Sequence, residues 1–92
     1  MQRFNTRFTL YNNLGDLNRE SYTFYYYDGK IVLDEYAEET RETKRHGWKN
    51  HGRWWKRMND RDSRIKRAEI TVPTGIRMQA IKFIQDQIYF EG

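Results

Sequence analysis

Residues 20–33 read ESYTFYYYDGKIVL, and they decide the architecture. Residues 20–27 favour extended backbone throughout, being dominated by aromatic and β-branched side chains. Asp28-Gly29 then supplies the two positive-φ residues of a type I′ turn, and Lys30-Ile31-Val32-Leu33 resumes the β pattern, so a tight hairpin is predicted. Working back from it, Phe4, Thr6, Phe8 and Leu10 alternate with Arg3, Asn5, Arg7 and Thr9. That period of two predicts a half-buried strand over residues 3–11. Asn12-Asn13-Leu14-Gly15-Asp16 is turn chemistry, because these residues tolerate positive φ or bond their own backbone. The result is an antiparallel meander of three strands.

Working forward, residues 34–46 (DEYAEETRETKRH) read two ways. Leu33, Tyr36, Ala37 and Thr40 fit a helical stripe, and the Glu and Ala content favours helix. Thr40 and Thr43 favour a twisted, solvent-facing extension of the third strand instead. Gly47 and Gly52 interrupt regularity in the segment that follows. Residues 65–72 (IKRAEITV) predict another short strand. Beyond Pro73, Ile76, Ala80, Ile84 and Ile88 recur at i+4, flanked by Ile81 and Phe83. An amphipathic helix over about 74–89, packed on one sheet face, is predicted. The class is α+β: a small antiparallel sheet of three to five strands with one C-terminal helix, in a single domain over residues 1–92.

Composition narrows the function classes. Aromatics make up 16% of the 92 residues, so large rings such as Phe4, Phe8, Phe24 and Trp54 are expected to supply much of the buried area. Cysteine is absent, which excludes disulfides and thiolate metal ligands and points to a reducing, cytoplasmic setting. The longest aliphatic run, Ile31-Val32-Leu33, is far too short to span a membrane, and MQRFNTRF has no apolar signal-peptide core.

Charge is strongly polarised. Lys44–Arg67 holds all three tryptophans, both histidines and ten Lys/Arg against Asp60 and Asp62, a net of +8, while the other residues net −4. Basic residues threaded with aromatics are the footprint of a surface that meets phosphate and stacks on bases or on a partner's Arg and Pro side chains. The candidate binding residues are Trp48, Lys49, Arg53, Trp54, Trp55, Lys56, Arg57, Arg61, Arg64, Lys66 and Arg67. The competing reading splits Trp54 and Trp55 between core and surface and leaves the charges as a solvated face.

Other clusters carry less. His46 and His51, with Asn50 between them, loosely suggest a nuclease, but a five-residue spacing does not align two metal ligands and further ligands are lacking. They are expected to be surface histidines. Tyr22, Phe24 and Tyr26 would share one strand face, with Tyr25 and Tyr27 on the other. The element order and signature octamer of RNA-recognition sheets are missing, so core and hydroxyl-bonded roles are expected. Asp34, Glu35, Glu38, Glu39 and Glu42 read as a solvated acidic face, or a counter-charge to the basic segment within the fold or between copies. No phosphate-cradling Gly-rich loop or nucleophile elbow appears, so no enzyme activity and no cofactor or metal is expected.

The run from Thr43-Lys44-Arg45-His46 through Trp54 and Arg61-Asp62-Ser63 to Val72-Pro73 and a closing amphipathic helix resembles, in style, small accessory proteins of phages and mobile elements. The likeness implies a class that binds and blocks host enzymes, anti-CRISPR and anti-restriction inhibitors among them. It carries over no functional residue. Many such inhibitors are acidic mimics of nucleic acid, a pattern from which this basic chain departs. The leading expectation is a non-enzymatic module that engages nucleic acid or a nucleoprotein through residues 44–67. The alternative is an inhibitor docking on a host protein, and a third class is self-association of the acidic and basic strips.

Overall fold

The computed structural model describes residues 4–57 and 63–91, the last three by their backbone alone. Four strands pair antiparallel in chain order: β1 (Thr6–Asn13), β2 (Asn18–Tyr27), β3 (Lys30–Thr40) and β4 (Lys49–Lys56). The expected hairpin is present, with Asp28 at φ 50° and Gly29 at φ 76°. One helix, α1 (Thr74–Glu91), follows. The architecture is the α+β arrangement expected.

β3 runs through Thr40, which resolves the ambiguity at 34–46 in favour of strand up to that residue. Residues 41–48 form the connection to β4. A bulge explains the helix-like spacing. Thr23 pairs with Glu35 and Phe24 with Leu33, so Asp34 is an extra residue on β3. The bulge turns Leu33 and Tyr36, three apart, to the same face, and both are buried.

β4 lies within the basic segment, where the glycines argued against regular structure. Ala37 pairs with Trp54 and Glu39 with Asn50, so His51, Gly52 and Arg53 bulge opposite Glu38. Gly52 makes the bulge possible. It sits at φ 80°, and a Cβ there would lie 2.8 Å from Glu38 Oε1. That carboxylate oxygen accepts the Arg53 backbone N–H at 3.0 Å.

Residues 65–72 do not form the predicted strand. Arg64 N–H bonds the Trp54 carbonyl at 3.0 Å, and the chain then makes a 3-10 turn at Arg67–Glu69. Ile65, Ile70 and Val72 pack against the core instead of alternating.

This segment and α1 cover one face of the sheet. Tyr22, Phe24, Leu33, Tyr36, Trp55, Ile76 and Ala80 form the core, with Phe8, Leu10 and Ile31 packed at its side. Phe8 bridges the layers, its ring stacked on Phe83 at 4.3 Å and on Phe24 at 5.6 Å. Trp55, not Trp54, supplies the buried indole. On α1, Ile76, Ala80 and Ile84 are buried, but Ile81 and Ile88 are exposed. Each i+4 step overshoots a turn by about 40°, so the stripe rotates off the sheet by Ile88, while Phe83 stays on the packed face.

Two buried tyrosines close the end of the core. Tyr36 O–H donates to Glu20 Oε2 at 2.7 Å, and Asn12 Nδ2 donates to Glu20 Oε1 at 2.8 Å. Burial first, then the Glu20 carboxylate, pushes the Tyr22 and Tyr36 hydroxyls well above the ordinary phenol value.

Candidate functional site

Among the described residues no helix packs on the second face of the sheet, and strand register fixes its layout. Tyr11, Ser21, Ala37 and Trp54 form one row across all four strands. Thr9, Thr23, Glu35 and Lys56 form the next, and Asn13, Arg19, Glu39 and Asn50 a third. The first row therefore sets two aromatic side chains on the outer strands around two small ones on the inner strands. The walls span three strand spacings, about 14 Å. Between them lies an open depression of about 170 Å³. Thr23 and Ala37 on its floor are each only 6% exposed, because taller neighbours shield them. Thr9 and Thr23 share a hydroxyl–hydroxyl hydrogen bond of 2.8 Å.

The three tryptophans have three different environments. Trp55 is 5% exposed, in the core; as a candidate contact residue it is corrected to a fold residue, because β alternation turns its ring to the covered face. Trp48 is engaged internally: the Arg19 and Arg41 guanidinium carbons lie 4.3 and 4.4 Å from its ring centroid. Arg19 also lies 3.8 Å over the Tyr11 ring, so Tyr11, Arg19, Trp48 and Arg41 form an alternating ring–guanidinium stack. Trp54 is half-buried on the open face. Its ring makes no aromatic or guanidinium contact among the described residues.

The acidic strip is not simply a solvated face. The bulge points Asp34 and Glu35 together onto the open side. Arg7 bridges them at 2.9 Å each, Arg57 reaches Asp34 at 2.6 Å, and Lys56 approaches Glu35 at 3.5 Å. Glu39 pairs with Arg19 at 2.6 Å. Burial by itself would raise the Asp34 carboxyl, but hydrogen bonds from Arg57 and Arg7 outweigh it and hold it below the ordinary carboxylate value. Counter-charge within the fold is what these acids provide. Glu42, beside His46 at 3.6 Å, remains largely exposed.

Among the candidate cations, Lys56 and Arg57 are thus tied to acids. Arg53 donates through its second terminal nitrogen to the Glu69 carbonyl at 3.3 Å. Lys49, Arg64, Lys66 and Arg67 are exposed, and none forms an ion pair with another described residue. The hydrogen bond to the Trp54 carbonyl places Arg64 along the outer edge of β4. Arg61 lies outside the described residues. His46 and His51 are exposed, with His46 Nδ1 at 2.8 Å from Thr43 Oγ1. Among the described residues no group of three or more His, Cys, Asp or Glu is placed to hold a metal, and no helix is long and apolar enough to cross a membrane.

Sequence reasoning missed Tyr11, Ser21, Ala37, Glu39 and Asn50 as members of one surface. Each sits on a polar strand phase, but only the cross-strand register brings them together. No protein-family model matches the chain, and no curated protein or solved structure matches it either.

Proposed function

We infer that this protein is a non-catalytic binding module that engages nucleic acid through the outer edge of β4 and the adjoining open sheet face. One observation carries this reading. Trp54, an aromatic side chain left unengaged by the fold, lies beside Arg64 in a segment whose Lys49, Arg64, Lys66 and Arg67 have no acidic partner among the described residues. The sheet acids Asp34, Glu35 and Glu39 are already held by Arg7, Arg19, Lys56 and Arg57. Unpaired cations beside an available ring suit phosphate neutralisation combined with base stacking.

A salt titration tests it. Four phosphate contacts, each contributing about 0.7 to 0.9 to the logarithmic salt slope, imply an affinity loss of roughly 50- to 150-fold between about 50 and 200 mM salt. Replacing Arg64, Lys66 and Arg67 together by Gln should flatten that slope. Absence of oligonucleotide binding at low salt would end this reading. It would leave the alternative, a host-protein inhibitor in which Trp54 is an anchor and single charges are individually silent.

A further inference from the structure

Resting on that nucleic-acid reading, we propose that the depression on the open sheet face seats one unpaired nucleobase, a pyrimidine bearing an exocyclic amino group, so that the ligand is single-stranded and cytosine-preferring. Size comes first. The depression measures about 170 Å³, and a protein cavity of about 150 Å³ is enough for a single six-membered ring such as benzene. A base inside a duplex cannot reach a recess in a flat sheet, whereas an unstacked base can.

The walls decide the stacking partner. Arg19 already occupies the Tyr11 ring, and Arg19 and Arg41 occupy Trp48. Trp54 is the available face. Its backbone carbonyl accepts the Arg64 N–H, so a strand whose phosphates follow the β4 edge can turn one base inward.

The polar groups decide the base. Ser21 Oγ, the Asn50 side-chain amide and Glu39 Oε2 have no hydrogen-bond partner among the described residues, Arg19 holding only Glu39 Oε1. Ser21 and Asn50 can donate to the ring nitrogen and carbonyl oxygen of a pyrimidine. The Glu39 oxygen can only accept, which suits the exocyclic amino group of cytosine and opposes the carbonyl that thymine and uracil carry there. Arg19 holds the Glu39 carboxylate through Oε1 at 2.6 Å, so the acceptor is held in place before the base arrives.

The experiment measures binding of equal-length oligo(dC), oligo(dT) and a mixed-sequence duplex at low salt, at about pH 7.5, where cytosine strands stay unfolded. Oligo(dC) should bind about tenfold more tightly than oligo(dT), the discrimination of one good base contact, and more tightly than the duplex. Oligo(rC) over oligo(rU) should show the same order, because the base is what is read. Glu39→Gln, which places an amide donor among the acceptor's positions, should erase most of the dC preference. Asn50→Ala, at an exposed position on an edge strand, should weaken dC binding without altering the melting temperature. Equal, salt-sensitive binding of all three ligands would overturn the base site while leaving the polyanion reading intact. Binding of none would overturn both.

Discussion

Trp54 and Trp55 are consecutive in the chain but lie on opposite faces of the sheet, one flanking the open depression and the other 5% exposed in the core. They therefore report on different things. Trp55→Ala should destabilise the protein by about 3–5 kcal/mol through lost burial and a cavity. Trp54→Ala should leave the melting temperature nearly unchanged and weaken oligonucleotide binding by about 1–3 kcal/mol, the size of one base–aromatic stack. Chemical denaturation and a binding titration on both variants check the pair. Two destabilised variants with unaltered binding would reduce the basic face to solvation.

Gly52 is fixed by its conformation. Its φ of 80° opposes any side chain, and an added Cβ would push the Glu38 carboxylate aside. Gly52→Ala should cost about 1–3 kcal/mol in backbone strain and displace the carboxylate from the Arg53 N–H. Denaturation against Gly47→Ala, where an added Cβ meets nothing within 4 Å, isolates the effect.

Asp34 links stability to pH. Its carboxyl is held below the ordinary value in the folded chain, so its contribution is present above the unfolded value of about 4 and is lost as pH falls through the lower, folded value. Asp34→Asn should lower the melting temperature near neutrality. The gap to the wild type should close as pH is taken from about 5 towards 2. A gap that stays constant over that range would show that the Arg7 and Arg57 contacts contribute nothing through charge.

The rotation of the helical stripe gives a matched pair. Ile84, 4% exposed, and Ile88, 45% exposed, lie one turn apart on α1. Ile84→Ala should cost about 2–4 kcal/mol, and Ile88→Ala under about 1 kcal/mol. Equal costs in urea denaturation would mean that α1 packs with a different face towards the sheet.

The readability of the sequence followed the persistence of a period. β1 was legible because its alternation is unbroken, β2 and the Asp28-Gly29 turn because β-favouring and turn residue types mark them without a break, and α1 because apolar residues return at helical intervals. At Asp34 the extra residue changes the spacing of buried positions from two to three, which looks like helix when the partner strand is not in view. β4 was hidden in a similar way, since Gly52 serves a bulge where it reads as a breaker. In residues 65–72 the β-favouring residues are present, but among the described residues no backbone hydrogen bond joins them to the outer edge of β4, and Ile65, Ile70 and Val72 turn inwards to the core. The charge segregation and the Trp54–Trp55 split were legible from residue types. Which ring faced out, and which acids were already taken, required the register.

Strand order has a consequence for how this molecule comes into being. Each strand pairs with its neighbour in sequence, so the sheet can zip up hairpin by hairpin with short loop closures. The cover arrives last, because Phe83 reaches back to Phe8 from the other end of the chain. During synthesis, a sheet with Phe8, Phe24 and Leu33 on a bare face precedes the helix that shields it, and for that interval the nascent chain is exposed to aggregation. A polypeptide cut just after Val72 would prolong that interval indefinitely.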